Sequence, residues 1–339
     1  MVTARDVAEK LGVSISTIGR AMADDPRISA DTKTKVRRAA DELGYVGNLP
    51  ARMMRGESSK LIGLIIPDVR NDFYSSIAQA LSESCDRHGY RLVLSISSDD
   101  RDVEHRHIRD LVGARVAGIV IVPTVKPKRE SAVLLENLPH VQLLRRVPTL
   151  GDAWFGIDDE QALESAATHL IKLGHRAIAY IGGRDALSTG AARAEGVRQA
   201  FAKAGLPADE LQLVLGNPSI EAGEYALCSL LDGPSPPTAV LSGSVQVTLG
   251  ILNTLAKRRI SAPDQLSVIG FGDPVWFAWW GPGLTTVRPP IHSLASTCGL
   301  WFIDQLGREG VNGQVSAHQA ISPSSLIVRG SAGAPARPS

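Results

Sequence analysis

Residues 3–23, TARDVAEKLGVSISTIGRAMA, set two short helical patterns on either side of Leu11-Gly12-Val13-Ser14. Val7, Ala8 and Leu11 form the inward stripe of the first pattern, and Thr3 followed by Asp6 caps its start. Ser14 caps the second pattern, which runs to about Ala23. On a helical wheel Thr17, Ile18 and Ala21 face one way, while Ser16, Gly19 and Arg20 face the other, with Ile15 and Met22 near the margin. Two short helices joined by a glycine-containing turn are the sequence form of a helix-turn-helix. A third helix is expected from Ser29 as cap, through Val36, Ala39, Ala40 and Leu43, to Gly44 as stop. Three helices this short bury little, so residues 1–46 form a marginal unit.

Residues 47–59, GNLPARMMRGESS, form a connector. Pro50 suits the first turn of a short helix, and Gly56 with two serines ends it. So short a helix is unstable alone in water and needs a partner to order it.

From Leu61 the pattern changes. The runs LIGLII, RLVLSI, AGIVIV, VQLL, AIAYIGG, LQLVLG, TAVLSG and LSVIGFG alternate with helical stretches. Continuous apolar runs mark strands buried on both faces, hence parallel sheets flanked by helices. About ten such strands exceed one comfortable domain, so two doubly wound parallel-sheet lobes are expected in residues 60–330. Residues 331–339, SAGAPARPS, are expected to be a disordered tail.

Composition excludes other classes. Of 339 residues 44% are hydrophobic and 21% charged, outside the disordered and membrane ranges. No apolar run approaches the roughly 18 residues of a spanning helix, and MVTARDVAEK lacks the apolar core of a signal peptide, so a cytoplasmic protein is expected. Cys85, Cys228 and Cys298 stand far apart with no CxxC, which indicates free thiols and no metal site. The net charge of +1 divides into +3 for residues 1–60, with eleven basic and eight acidic side chains, and −2 for the rest. That mild asymmetry suits a nucleic-acid contact at the N-terminus.

No GxSxG, P-loop, HExxH or strand-linked GxGxxG is present, so no enzyme and no cofactor is expected. His105 and His107 belong to a charged helical stretch and are expected on a solvated face, whereas His175 in LGHR is expected to be structural. The strand-end rule gives a cleft inventory from the residues alone. Asp68, Asn71, Asp72, Phe73 and Tyr74 follow the first strand, and Ser97 to Asp99 the second. Arg145 and Arg146 follow VQLL, Ser242 to Val245 follow TAVL, and Gly272 and Asp273 follow VIGF.

Taken in order, DVAEKLGVSISTIGRAM, NLPARMMRG, IGLIIPDVRNDFY, AGIVIVP, HLIKLGHRAIAYIGG, PTAVLSG, LSVIGFGDP…GLTTVRPP and LIVRGS resemble the LacI/GalR transcription regulators to about Gly330. The resemblance implies a homodimer whose body is like a type I periplasmic binding protein. It divides that body into an N-lobe of about 60–158 and 289–318 and a C-lobe of about 159–288 and 319–330. It also implies a pseudo-palindromic operator and a small-molecule effector between the lobes.

Residue by residue, the resemblance makes Ile15 and Ser16 base readers and Arg20 a guanine or phosphate contact. The chemistry agrees, since Ser16 and Arg20 are four apart on the outward face and arginine forks match guanine O6/N7. Ser14 and Thr17 can bond phosphate oxygens. Gly19 stands where the family has serine. In the connector, with Asn48, Ala51 and Arg52 around it, Met54 matches the apolar wedge that opens a minor-groove base step.

In the cleft, Arg193 matches the family's ligand-binding arginine. Ser244-Val245 stands where an Asn-Asp pair is usual, Gly272 where an aspartate is usual, and Arg145 often in place of an acid. Arg145 and Arg193 are therefore expected to grip a carboxylate or phosphate, as in a sugar acid, an organic acid or a sugar phosphate. The competing expectation pairs Arg145 or Arg146 with a neighbouring acid. Trp276-Phe277-Ala278-Trp279-Trp280 is expected near the cleft mouth, with one or two rings such as Trp276 on the ligand and at least two packing the lobe. The rivals are an activator, a solute-binding protein, and an α/β enzyme with an accessory DNA module.

Overall fold

The computed structural model describes residues 2–45, 59–308 and 315–335. The chain divides into two units, 1–59 and 60–339. In the first unit α1 (Ala4–Leu11), α2 (Ile15–Met22) and α3 (Ala30–Leu43) close on a core of Val7, Ala8, Ile18, Ala21, Val36 and Ala39. The sequence punctuates each element. The Asp6 carboxylate accepts the Thr3 backbone N–H at 2.7 Å, and Ser14 and Ser29 accept the N–H groups of Thr17 at 3.1 Å and Thr32 at 3.3 Å. Gly12 and Gly44 end α1 and α3 with φ of 64° and 67°, the left-handed region where glycine carries no Cβ penalty.

The second unit holds two six-stranded sheets. The first contains β1 (Leu61–Ile66), β2 (Arg91–Ile96), β3 (Gly118–Ile121), β4 (His140–Leu143), β5 (Ala153–Ile157) and β11 (His318–Ser322), ordered β11-β5-β4-β3-β1-β2 with every pairing parallel. Helices α4 (Asp72–Arg87), α5 (Arg101–Gly113), α6 (Arg129–Leu135) and α11 (Ile291–Gly307) belong to this N-lobe, whose main core gathers Leu64, Leu81, Phe155 and Phe302.

The C-lobe sheet contains β6 (Ile178–Gly183), β7 (Leu211–Gly216), β8 (Ala239–Ser242), β9 (Ser267–Phe271), β10 (Thr285–Arg288) and β12 (Ser325–Ile327), ordered β12-β10-β9-β8-β6-β7. Its pairings are parallel except that β12 lies antiparallel to β10. Helices α7 (Asp159–Lys172), α8 (Ser188–Lys203), α9 (Ile220–Leu231) and α10 (Val245–Arg258) flank it. The pair α7 and α8 packs so closely that a Cβ on Gly196 would sit 2.1 Å from the Glu160 carbonyl oxygen.

Three findings revise the expected boundaries. The last change of lobe falls at 323–324 and not after 318, because β11 pairs with β5 in the N-lobe sheet from His318↔Ala153 to Ser322↔Ile157. The chain also stays packed beyond 330. Ser331 is fully buried, its Oγ donates to the Val268 carbonyl at 2.7 Å, and the Gly333 carbonyl accepts from His175 Nε2 at 2.8 Å. The tail expected from 331 is thus a packed segment through Pro335, and the remaining four residues lie outside the described ones. Finally, RLVLSI forms β2 at a sheet edge, where Leu94 and Ile96 are exposed, so its apolar run does not mean burial on both faces.

Candidate DNA and effector sites

At the start of α2 three hydroxyls gather. Ser14 Oγ lies 2.8 Å from both Ser16 Oγ and Thr17 Oγ1 while it caps the helix. Ile18 and Ala21 bury the inner face, and Ile15, Ser16 and Arg20 are exposed on the other side. A helix N-terminus with unsatisfied N–H groups and hydroxyls beside it favours phosphate oxygens. Most other bases among the described residues of this unit are occupied: Lys10, Arg27, Lys33, Lys35, Arg37 and Arg38 all hold carboxylates. Among the described residues of this unit, Arg5 and Arg20 carry no ion pair. Arg20 was singled out from the sequence; Arg5 was not, because Asp6 beside it and Glu9 one turn on make it read as a pairable surface base. Asn48, Ala51, Arg52 and Met54 lie outside the described residues.

Between the lobes the carboxyl ends of the strands enclose a cavity of about 120 Å³. Of the expected residues, Asn71, Phe73, Tyr74, Asp99, Arg145, Arg193 and Ser244 line it. Asn71 is there because its side chain caps α4, accepting the Phe73 N–H at 3.2 Å. Ser244 likewise caps α10 through the Val247 N–H at 3.2 Å.

Both arginines are already engaged. Arg145 forms a two-pronged ion pair with Asp99, with Nη2 3.1 Å from Oδ2, and Nη1 also donates to the Pro123 carbonyl at 3.2 Å. Its side chain is 6% exposed. Burial disfavours that charge, yet Tyr74 and Asp99 beside it hold the guanidinium above the ordinary arginine value. Ser98, Asp99 and Leu144, with φ of 53°, 56° and 64°, are non-glycine residues in the left-handed region, and all three stand at this pair. Such conformations cost about 1–3 kcal/mol each and persist where surrounding structure imposes them. Arg193 donates from Nε to Asp159 at 2.7 Å and from Nη1 to the Gly243 carbonyl at 2.7 Å, and lies 4.0 Å over the Phe271 ring. Burial pushes the Asp159 carboxyl up, and the Arg193 charge opposes it. Beside the Asp99–Arg145 pair, burial also pushes up the carboxyl of Glu104, which accepts from the Thr124 N–H at 2.7 Å and hydroxyl at 2.9 Å.

The premise of an anion grip is therefore not met, since each guanidinium holds a carboxylate. The alternative pairing with a neighbouring acid is the one observed for Arg145, while Arg146 pairs with Asp152 at 3.5 Å.

Three other expected residues stand elsewhere. Asp72 lines a separate cavity beside Arg288 and Pro290. Asp273 is held by Arg329 in a two-pronged pair at 2.8 and 3.0 Å, its side chain 7% exposed, as a structural group. Trp276 packs edge-on against the buried Phe277 in the C-lobe core, with Trp280 beside it, and Trp279 is exposed.

Sequence reasoning missed Gly183 at the end of β6, Leu187, Thr189 and Gly190 after it, and Pro218 after β7. The signal was the same strand-end rule, not applied to those two loops. His175 is buried between Thr238 Oγ1 at 2.9 Å and the Gly333 carbonyl, a structural histidine. His105 and His107 bond Ser131 and the Ile96 carbonyl, so their helix face is not simply solvated. The described residues contain no group of side chains placed to hold a metal ion, and none of their helices is long and apolar enough to cross a membrane.

Known proteins place this geometry. Residues 3–48 match the bacterial regulatory proteins of the lacI family, and residues 167–332 match a periplasmic binding protein-like domain. The chain is 30% identical over 331 residues to the HTH-type transcriptional regulator DegA of Bacillus subtilis, covering 96% of this chain and 97% of that one. It is 29% identical to the HTH-type transcriptional repressor CytR of Escherichia coli over 330 residues, covering 97% and 96%. In fold it resembles the lac repressor dimer bound to operator and the anti-inducer ONPF, with a TM-score of 0.83, 24% identity and coverage of 98% and 99%. The chain belongs to the LacI family of bacterial DNA-binding transcription regulators.

Proposed function

We propose that this regulator is a homodimeric repressor of a pseudo-palindromic operator, and that an uncharged small molecule held between the lobes controls it. The observation that carries the DNA part is the outward face of α2, where Ser16 and an unpaired Arg20 stand beside the capped hydroxyl cluster. An arginine without a carboxylate keeps its fork available for a guanine edge or a phosphate. Dimerisation is supported by exposed apolar side chains on both lobes: Leu94 and Ile96 on edge strand β2, and Tyr225, Val275 and Trp279 on the C-lobe. Unpaired edges and apolar surface of this kind are covered in stable proteins.

The ligand reading rests on charge balance. An anion entering the cleft would displace a buried carboxylate from its arginine or add an uncompensated charge, either of which is costly. A regulator of related fold from Enterococcus faecium holds ribose, with a TM-score of 0.70, and CelR holds cellobiose, with a TM-score of 0.72. Calorimetry with neutral sugars against uronates and sugar phosphates tests the reading, and tighter binding of an acid contradicts it. Sedimentation tests the dimer.

A further inference from the structure

The two walls of the cleft differ in chemistry. The N-lobe wall presents Asp68, Asn71, Tyr74 and the Asp99–Arg145 pair, with the apolar Pro67, Phe73 and Leu144 between them. The C-lobe wall presents Leu187, Pro218, Val245 and Phe271, and its arginine is committed to Asp159 and the Gly243 carbonyl. The other polar groups on that wall, Thr189, Ser244 and Gln246, are uncharged, and Ser244 Oγ is occupied as the cap of α10.

Val245 and Gly272 fix this asymmetry together. Val245 is 5% exposed and lines both the cleft and the neighbouring cavity that Gly272 borders. A Cβ on Gly272 would lie 2.4 Å from Val245 Cγ2, on a backbone with φ of 84°. The valine methyl thus fills the space a side chain at 272 would need. A side chain at 272 would have to displace that methyl and would be strained by the left-handed backbone.

We infer that the effector is a monosaccharide-sized ring with hydroxyls on one edge and a bare or methyl-bearing edge opposite, the chemistry of a deoxy sugar. Its hydroxyl edge faces Asp99, Arg145 and Asn71, and its apolar edge faces Val245. A cavity of about 120 Å³ corresponds to about four waters at roughly 30 Å³ each, which limits the occupant to no more than a single sugar ring. The inference rests on the reading of the cleft as the effector site.

The test is calorimetry on the full chain with 6-deoxy- and 2-deoxyhexoses, each against its parent hexose. At least one deoxy sugar should bind about tenfold more tightly than its parent, the scale on which an apolar pocket discriminates one small group. The near-isosteric Val245→Thr should narrow that preference, and Val245→Ala, which keeps the wall apolar, should retain it. If every parent hexose binds as well as its deoxy form, or no deoxy sugar binds while operator selectivity is intact, the inference is overturned and the regulator reading survives. Loss of operator selectivity itself would overturn the latter.

Discussion

Arg20 and Arg193 both stand on helices where a ligand would meet them, in opposite electrostatic states. Arg20 is exposed and carries no ion pair among the described residues. Arg193, 11% exposed, is tied to a carboxylate 5% exposed. The difference separates two kinds of recognition. A duplex brings its own negative charge, which the unpaired guanidinium of the headpiece is free to neutralise. In the cleft each arginine is already paired with a carboxylate, and the proposal of an uncharged ligand follows from that.

Breaking the buried pair gives the largest expected effect. Asp159→Ala leaves Arg193 buried without its acid and should destabilise the body by about 3–5 kcal/mol in urea unfolding. A change below about 1 kcal/mol would mean that the pair is solvated. Next comes the headpiece core, which rests on six buried side chains. Ile18→Ala should cost about 2–5 kcal/mol of headpiece stability and abolish operator binding, leaving the thermal transition of the body in place. Arg20→Ala sharpens the contrast, because nothing in the fold depends on that side chain. It should weaken operator binding by about 1–3 kcal/mol, with an unchanged melting temperature. A fall in melting temperature would show that Arg20 is structural.

The smallest effect concerns pH. Burial holds His175 below its ordinary value of 6.5. Between the folded and unfolded values the unfolded chain binds more protons, so stability is lost as pH falls through 6.5 toward the folded value. His175→Gln should flatten the acid side of the melting profile between about pH 7 and 5, with His169, also lowered by burial, supplying what slope remains.

What could be read from the sequence follows from locality. Ser14, Ser29 and Gly44 act within one turn of themselves, and the strands buried on both faces write their burial as unbroken apolar runs. Three strands at the ends and crossovers do not, and edge strand β2 carries such a run without the burial. TTVR, HQAIS and SLI mix polar and apolar residues because they lie at sheet edges or where the chain changes lobe, and the last crossover was misplaced for that reason. In the cleft, the strand-end rule located Asn71, Asp99, Arg145 and Ser244. It could not show that Arg145 meets Asp99 across 46 residues, or Arg193 meets Asp159 across 34. The proposal of an uncharged ligand rests on those pairings. The Trp276–Trp280 run misled for a related reason: aromatic density says that a surface is apolar, and whether it faces a ligand, a core or a second subunit depends on the fold around it.

The most direct test of the account is fluorescence anisotropy of the full-length protein on a palindromic duplex selected from a random pool, against a scrambled duplex of equal length and salt. The account predicts at least about a thousandfold preference for the selected duplex, steeply weakened by added salt. Equal affinity for the two duplexes at every salt concentration would contradict it.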